Sequence, residues 1–400
     1  MPHPLSQPAA TSAGRSAPRW PVRAAPLAAA VAAAAVMVSP SAAFGATHAR
    51  GMTARTSLVH QVMAYVTAAG THTSTVTPIQ TATNTTLPPV KVGLGPEAVA
   101  VTPDGKTVYV ANTGGDTVTP IRTATDTALP AIKVGQTPQA IAVTPDGRTV
   151  YVANTNSGTV TPIRTATNTA LRPVKTGSGP EAIAVTPDGK KAYVLNFGAL
   201  NGTGTVTPIR TATNTALPPI KVGPSPQAIA ITPDGKTIYV ANTNGTVTPI
   251  RTATNTALRP VKVGSFPIVI AVTPDGKTAY VADADGDTVT PIRTATNTTL
   301  PPVKVGSGPI AIVVTPDGKT AYVANKGSGT VTPISTATNT ALRAVKTGSG
   351  PIAIAVTPNG TTVYVVNELS GTVTPIRTAT NRILRPIMIG GSPLAIAITP

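Results

Sequence analysis

The chain has 400 residues, a net charge of +17, 42 Pro, 35 Gly, four His, 14 carboxylates and no Cys. Without Cys there is no disulfide, no thiolate metal site and no lipid-anchored Cys. Pro and Gly at this level would read as disorder if scattered, but here they recur at a fixed period, which places them in turns.

The first 45 residues have the layout of a secretory signal. Arg15, Arg19 and Arg23 precede the uncharged run Ala24 to Val38, and the small-residue stretch Ser39-Pro40-Ser41-Ala42-Ala43 follows. Cleavage after Ala43 or Gly45 fits. The apolar run is short against the roughly 20 residues of a membrane span. The expected product is secreted or held at the cell surface with no membrane span, a retained anchor being the alternative. Residues 46–63 read as a disordered lead-in, and the repeats occupy residues 64–400.

Pro96 to Thr137 is the unit of those repeats. Its Pro-Asp-Gly turn recurs at Asp104, Asp146, Asp188, Asp234, Asp275 and Asp317, with Asn359 in the seventh place. Each copy holds four strand-like runs. Ala98 to Thr102 is small and apolar, Lys106 to Ala111 carries Val-Tyr-Val, and Thr117 to Arg122 and Leu129 to Val134 follow. Turn chemistry separates them: Pro presets φ and Gly accepts positive φ. Four short strands per period of about 40–45 residues predict an all-β fold, a β-propeller of four-stranded blades.

The repeat resembles the YVTN family of β-propellers. The name motif stands at Tyr109-Val110-Ala111-Asn112 and again at Tyr151, Tyr239 and Tyr322, beside Thr123-Ala124-Thr125 and Ile132-Lys133-Val134-Gly135. The resemblance spans about residues 64–400. It implies the propeller fold and a secreted or cell-surface setting, and little chemistry. Family members often read Val-Ile-Asp where this chain reads Thr119-Pro120-Ile121-Arg122, and that Pro recurs in all eight copies. Pro cannot donate to a ladder, so a bulge or a missing bond is expected in the third strand.

Seven copies are complete. Residues 65–93 supply only the second to fourth strands, and Leu394 to Pro400 supplies a lone first strand. Together they make an eighth blade that closes the ring and leaves no open end; seven blades is the alternative count.

Charge is arranged by the repeat. Arg122, Arg164, Arg210, Arg251, Arg293 and Arg377 share one position; Lys91, Lys133, Lys175, Lys221, Lys262, Lys304 and Lys346 share another. A third set, from Lys106 to Lys319, follows the Pro-Asp-Gly turns. A closed wheel turns each position into a ring, and rings of one sign attract polyanions. The bland function of edge-strand Lys is to block sheet pairing. The expected partner is a polyanionic cell-envelope polymer or another protein, the chain acting as a monomer. Nucleic acid fits less well, because base stacking needs exposed aromatics and the eight Tyr sit mid-strand.

No catalytic residue stands out. Of the four His only His72 falls in a blade, so neither a His metal triad nor a Ser-His-Asp triad can be built there. A non-catalytic binding scaffold is therefore favoured, with a lactonase-like or lyase-like propeller enzyme as the alternative. No cofactor is implied. The run Asp283-Ala284-Asp285-Gly286-Asp287 could offer oxygens to Ca²⁺, or form an acidic turn. Differences between copies point to one mouth of the ring. Glu97, Gln139, Glu181 and Gln227 open four first strands, whereas Ile268, Ile310, Ile352 and Leu394 open the others. With Phe197 beside the only insertion and Phe266 nearby, these polar residues form the candidate ligand site.

Overall fold

The computed structural model describes residues 61–70, 74–198 and 202–400. The expected signal and all four His lie outside these residues. Strands begin at Met63, and eight antiparallel sheets follow. Blades are numbered here from the first complete one. Blade one runs Pro96–Val101, Thr107–Asn112 and Thr117–Arg122, followed by two short pieces, Thr127–Ala128 and Ile132–Lys133. Blades two to seven repeat this order.

The fourth strand is thus split, and Pro120 explains it. Tyr109 faces Pro120 in an unbroken register, so the third strand has no bulge. The Pro120 carbonyl accepts the N–H of Leu129 at 2.8 Å, on the outer side. A residue's N and C=O point the same way in an antiparallel ladder, so the missing donor also faces outward. The outer strand breaks there instead of leaving an acceptor unmatched. The bulge sits elsewhere, in the first strand: the register shifts between Pro96 and Ala98, at Glu97, and at the matching residue of blades two to seven.

Turn chemistry is local. Asp104 Oδ1 accepts the Thr102 hydroxyl at 2.6 Å and the Lys106 N–H at 3.1 Å, with Gly105 at φ 69°. The next blade uses the same turn for packing, since the Pro103 ring lies against Gly147, and Pro400 lies against Gly105 in the same way.

The core lies between blades, not within them. Ala98, Ala100, Tyr109 and Val118 of blade one pack with Ile141, Val150, Val152 and Ile163 of blade two. Eight Tyr are fully buried. A buried phenol needs a partner, and each finds one in the next blade. Tyr109 donates to Asn168 at 2.6 Å, Tyr151 to Asn214 at 2.6 Å, and Tyr193 to Asn255 at 2.7 Å. The series continues through Tyr239, Tyr280 and Tyr322, then Tyr364 donates to Asn84 and Tyr65 to Asp126. These acceptors hold φ between 47° and 57°, a region Asn and Asp tolerate better than other side chains.

Blade eight joins the chain ends, as the two partial copies imply. Met63–Ala69 pairs with Ser392–Ile398 on one side and Thr75–Gln80 on the other. Met63 N–H donates to Thr399 Oγ1 and Thr399 N–H to Met63 O, both at 2.8 Å. Among the described residues no helix is long and apolar enough to cross a membrane.

Two outcomes follow. Tyr151→Phe strands Asn214 and should cost about 1 kcal/mol, read as a lower urea midpoint at unchanged m-value. Deleting residues 392–400 bares the inner edge of the Met63–Ala69 strand. Loss of cooperative melting with light scattering is expected; a wild-type melt would refute closure through this strand.

Candidate functional site

The strand order gives the ring two unlike faces. The first-to-second and third-to-fourth turns share one face, as Thr123 N–H donating to Lys106 O shows. The second-to-third loops and the blade connections share the other, where Thr113 N–H donates to Gly95 O. The two candidate sites therefore lie on opposite faces.

The channel mouth lies on the second face. The bulge aims the side chain at its extra residue, and that residue is Glu97, Gln139, Glu181, Gln227, Ile268, Ile310 or Ile352. Leu394 holds the equivalent place in blade eight. The apolar half is filled: Ile268, Ile310 and Ile352 belong to one continuous core cluster, with Leu394 packed against it. In blades one and two of the polar half this side chain meets the residue after the second strand's closing Asn, whereas in blade four Gln227 donates to Ser225 O and Thr243 to Pro224 O. Thr155 donates to Gln139 Oε1 at 2.5 Å. Burial raises the pKa of Glu97, and the nearby Thr113 hydroxyl opposes this.

Blade three breaks the pattern, because Phe197 takes the Thr position. Glu181 is 8% exposed and its Oε2 has no hydrogen-bond partner. Burial alone pushes its carboxyl up to about 7. Blade three also has a longer third strand, Thr203–Arg210, paired through Thr203 to Pro224 beyond the usual end. This ribbon follows the insertion, whose residues 199–201 lie outside the described set.

The remaining mouth candidates do not converge. Phe197 stands on blade three, half-buried, and Phe266 on blade five, 36% exposed. A whole blade separates them, so they do not form one apolar pocket. Two grooves of about 350 and 550 Å³ lie on the outer flank instead, the first lined by Lys133, Leu171 and Pro173, the second by Leu258, Arg259 and Lys262.

The Asp283 run does not form a cage. Asp283 is buried, and its two oxygens accept the N–H groups of Ser265 at 2.7 Å and Phe266 at 2.8 Å. The six other complete blades have Asn here, donating from Nδ2 to two Thr hydroxyls, as Asn112 does to Thr117 and Thr119. The carboxylate reverses the polarity, and the preceding connection turns its amides toward it. Asp287 accepts Gly308 N–H at 2.8 Å, and Asp285 is exposed. Among the described residues no three His, Asp or Glu side chains converge to hold a metal ion.

The first face carries two rings of cations, and only one is neutralised. Lys106, Arg148, Lys190, Lys236, Lys277 and Lys319 each lie 3.4–3.9 Å from their own turn Asp. Burial works against the charge of Asp104, but the Thr102 hydroxyl and Lys106 outweigh it and hold the carboxyl below its usual range. The six Arg end the third strands, and all are exposed. Among the described residues no carboxylate lies within ion-pair reach of them. Gln80 and Ser335 interrupt the ring.

These features define an eight-bladed β-propeller with one basic face and a half-apolar channel mouth. The chain belongs to the family described as Lactonase, 7-bladed beta-propeller, which matches residues 56–174 and 203–387. Its own count is eight, the last strand lying beyond the match. No curated protein matches it. Among solved structures it is similar to the hydrazine synthase of Kuenenia stuttgartiensis, at 26% identity and TM-score 0.60 over 71% of this chain and 96% of that one. Dihydro-heme d1 dehydrogenase NirN shares the fold at 14% identity and TM-score 0.71, over 84% of this chain and 74% of that one. So does a putative 6-phosphogluconolactonase from Bacteroides fragilis NCTC 9343, at 18% and 0.59, over 86% and 99%.

The Glu181 carboxyl yields a pH signature. Its folded pKa lies above the unfolded value of 4.5. The stability it lends at low pH is therefore lost as the pH rises through about 7. Glu181→Gln should gain on wild type between pH 5 and pH 8, by about 3 kcal/mol at most. Phe197→Thr should lower the Glu181 pKa in a carboxyl NMR titration by restoring a donor. Parallel wild-type and Gln stability curves would show that the carboxyl is not buried.

Proposed function

We propose that this protein is an exported, non-catalytic propeller whose arginine face holds a polyanionic cell-envelope polymer. The observation that carries the reading is the contrast between two cation rings on one face. The turn Lys ring is spent on its own Asp neighbours, whereas the six Arg stand exposed with no carboxylate in reach. Guanidinium forks suit phosphate and carboxylate oxygens, and a ring spreads them along a polymer. Among the described residues every Tyr is buried and only Phe197 and Phe266 are partly exposed, on different blades, which is little platform for nucleic acid bases. The YVTN resemblance supports a role at the cell surface, and the protein acts there as a monomer.

The test is binding of poly(glycerol phosphate) across a salt series. Replacing Arg164, Arg210 and Arg251 by Ala should weaken binding at least tenfold and flatten its salt dependence. Replacing Lys106, Lys190 and Lys236 by Ala should do much less. Equal losses would reduce the effect to net charge and sink the reading.

A second reading is an enzyme of lactonase type. Family membership and the unpartnered Glu181 carboxyl favour it, since a carboxyl poised near neutrality suits general base work. Hydrolysis of a sugar lactone that disappears in Glu181→Gln would decide for the enzyme.

A further inference from the structure

We propose that the outer edge of blade seven docks an acidic, partly apolar segment of a partner protein. The outermost strand of a propeller blade is an unpaired edge, and Lys is a common guard against pairing there. The other seven blades carry that Lys, at Lys91, Lys133, Lys175, Lys221, Lys262, Lys304 and Lys346. Blade seven has Met388 in its place, 70% exposed.

Two more departures on the same blade go the same way. Ile383 replaces the Ala or Thr of its sisters and is 47% exposed. Leu369 stands at the loop tip where blades one, two and five have Gly114, Asn156 and Asp285, and is 70% exposed. Exposed apolar residues scattered singly need no explanation, but a grouped set marks an interaction surface. Half of the six exposed large apolar side chains among the described residues fall on this one blade.

Two of them form a stripe. Met388 pairs with Thr372 and Ile383 with Ile376, so about 13 Å of the third strand separates the two pairs. Leu369 lies apart from this pair, on the second-to-third loop against Gly350 of the connection that enters the first strand. Ile389 N–H points inward to Gly371 O, so Met388 turns its own N–H and C=O outward. The stripe thus offers apolar side chains and one open pair of backbone groups along the blade's edge.

Charge chooses the occupant. Arg377, Arg382 and Arg385 are exposed on the same blade, and no carboxylate among the described residues pairs with them. The blade's own carboxylate, Glu368, is held by Lys326 of blade six at 2.9 Å. A second copy would bring this basic edge against itself in a two-fold contact, with like charges opposed. An acidic segment with apolar residues along it complements both features. This surface adjoins the arginine face at Arg377, and its occupancy does not depend on that face's function.

The test uses the full chain and a labelled 12-residue peptide of alternating Glu and Leu, followed by fluorescence anisotropy. Leu369→Asn, Ile383→Ala and Met388→Lys together restore residues found at Asn156, Ala341 and Lys346. This variant should bind at least tenfold more weakly with an unchanged unfolding midpoint. Arg382→Ala with Arg385→Ala should weaken binding and flatten its salt dependence, and a peptide with Lys for Glu should not bind. Unchanged binding by the triple variant overturns the proposal, as does equal binding of the Lys peptide. It is also overturned if sedimentation shows a dimer that the triple variant abolishes, or if phosphatidylglycerol vesicles, and not the acidic peptide, need these three residues.

Discussion

Each blade is fastened to the next by one buried phenol. The Tyr ring fills the space between two sheets, and its hydroxyl must be satisfied there. The acceptor is the Asn of the neighbour's third-to-fourth turn, held in the left-handed region. Neither residue is useful without the other blade, so each unit depends on its neighbour as repeat proteins do. The bond from Tyr364 to Asn84 makes this circular, because it ties the last complete blade to the one shared by both chain ends. One acceptor departs from Asn. Asp126 receives Tyr65, and burial raises its carboxyl despite that bond, while the phenol is pushed far above its usual range.

Much of this was legible in the sequence because the period and the turn residues are strict. Seven complete copies plus two complementary pieces already imply eight blades, and the Met63 and Thr399 hydrogen bonds realise that sum. The place of the irregularity was not legible. Pro120 invites a bulge in its own strand, but its missing donor faces an outer strand short enough to break. The bulge at Glu97 follows Pro96, and a Pro holds that place in every blade, but Pro suits the first position of a strand as well as a bulge, so the mark reads both ways.

The candidate site was half legible for a similar reason. The aspartates 283, 285 and 287 alternate as cation ligands would, but the amides that occupy Asp283 belong to Ser265 and Phe266, brought close only by the fold. The orphaned state of Glu181 had a readable signal in the copies themselves. Thr113, Thr155 and Thr243 follow the closing Asn in blades one, two and four, and Phe197 follows it in blade three. The first-strand residues alone carry no trace of the lost partner.

The same logic explains why departures gather where they do. The phenol, its Asn acceptor and the Pro–Gly contact between turns occupy fixed positions, and a change there loosens two blades at once. Gly93 is bound just as tightly, since a Cβ would lie 2.7 Å from the Asn112 side chain. The bulge residue, the loop tip and the outer edge carry none of these bonds. Blade three altered its bulge neighbour, blade five its closing Asn and blade seven its edge, and the wheel still closes. Blade five shows the limit of that freedom: changing the buried Asn to Asp283 required the adjoining connection to turn two amides inward. Departures in this architecture are therefore tolerated on single blades at positions the ring does not use, whereas charge shared by most blades is spread over a whole face.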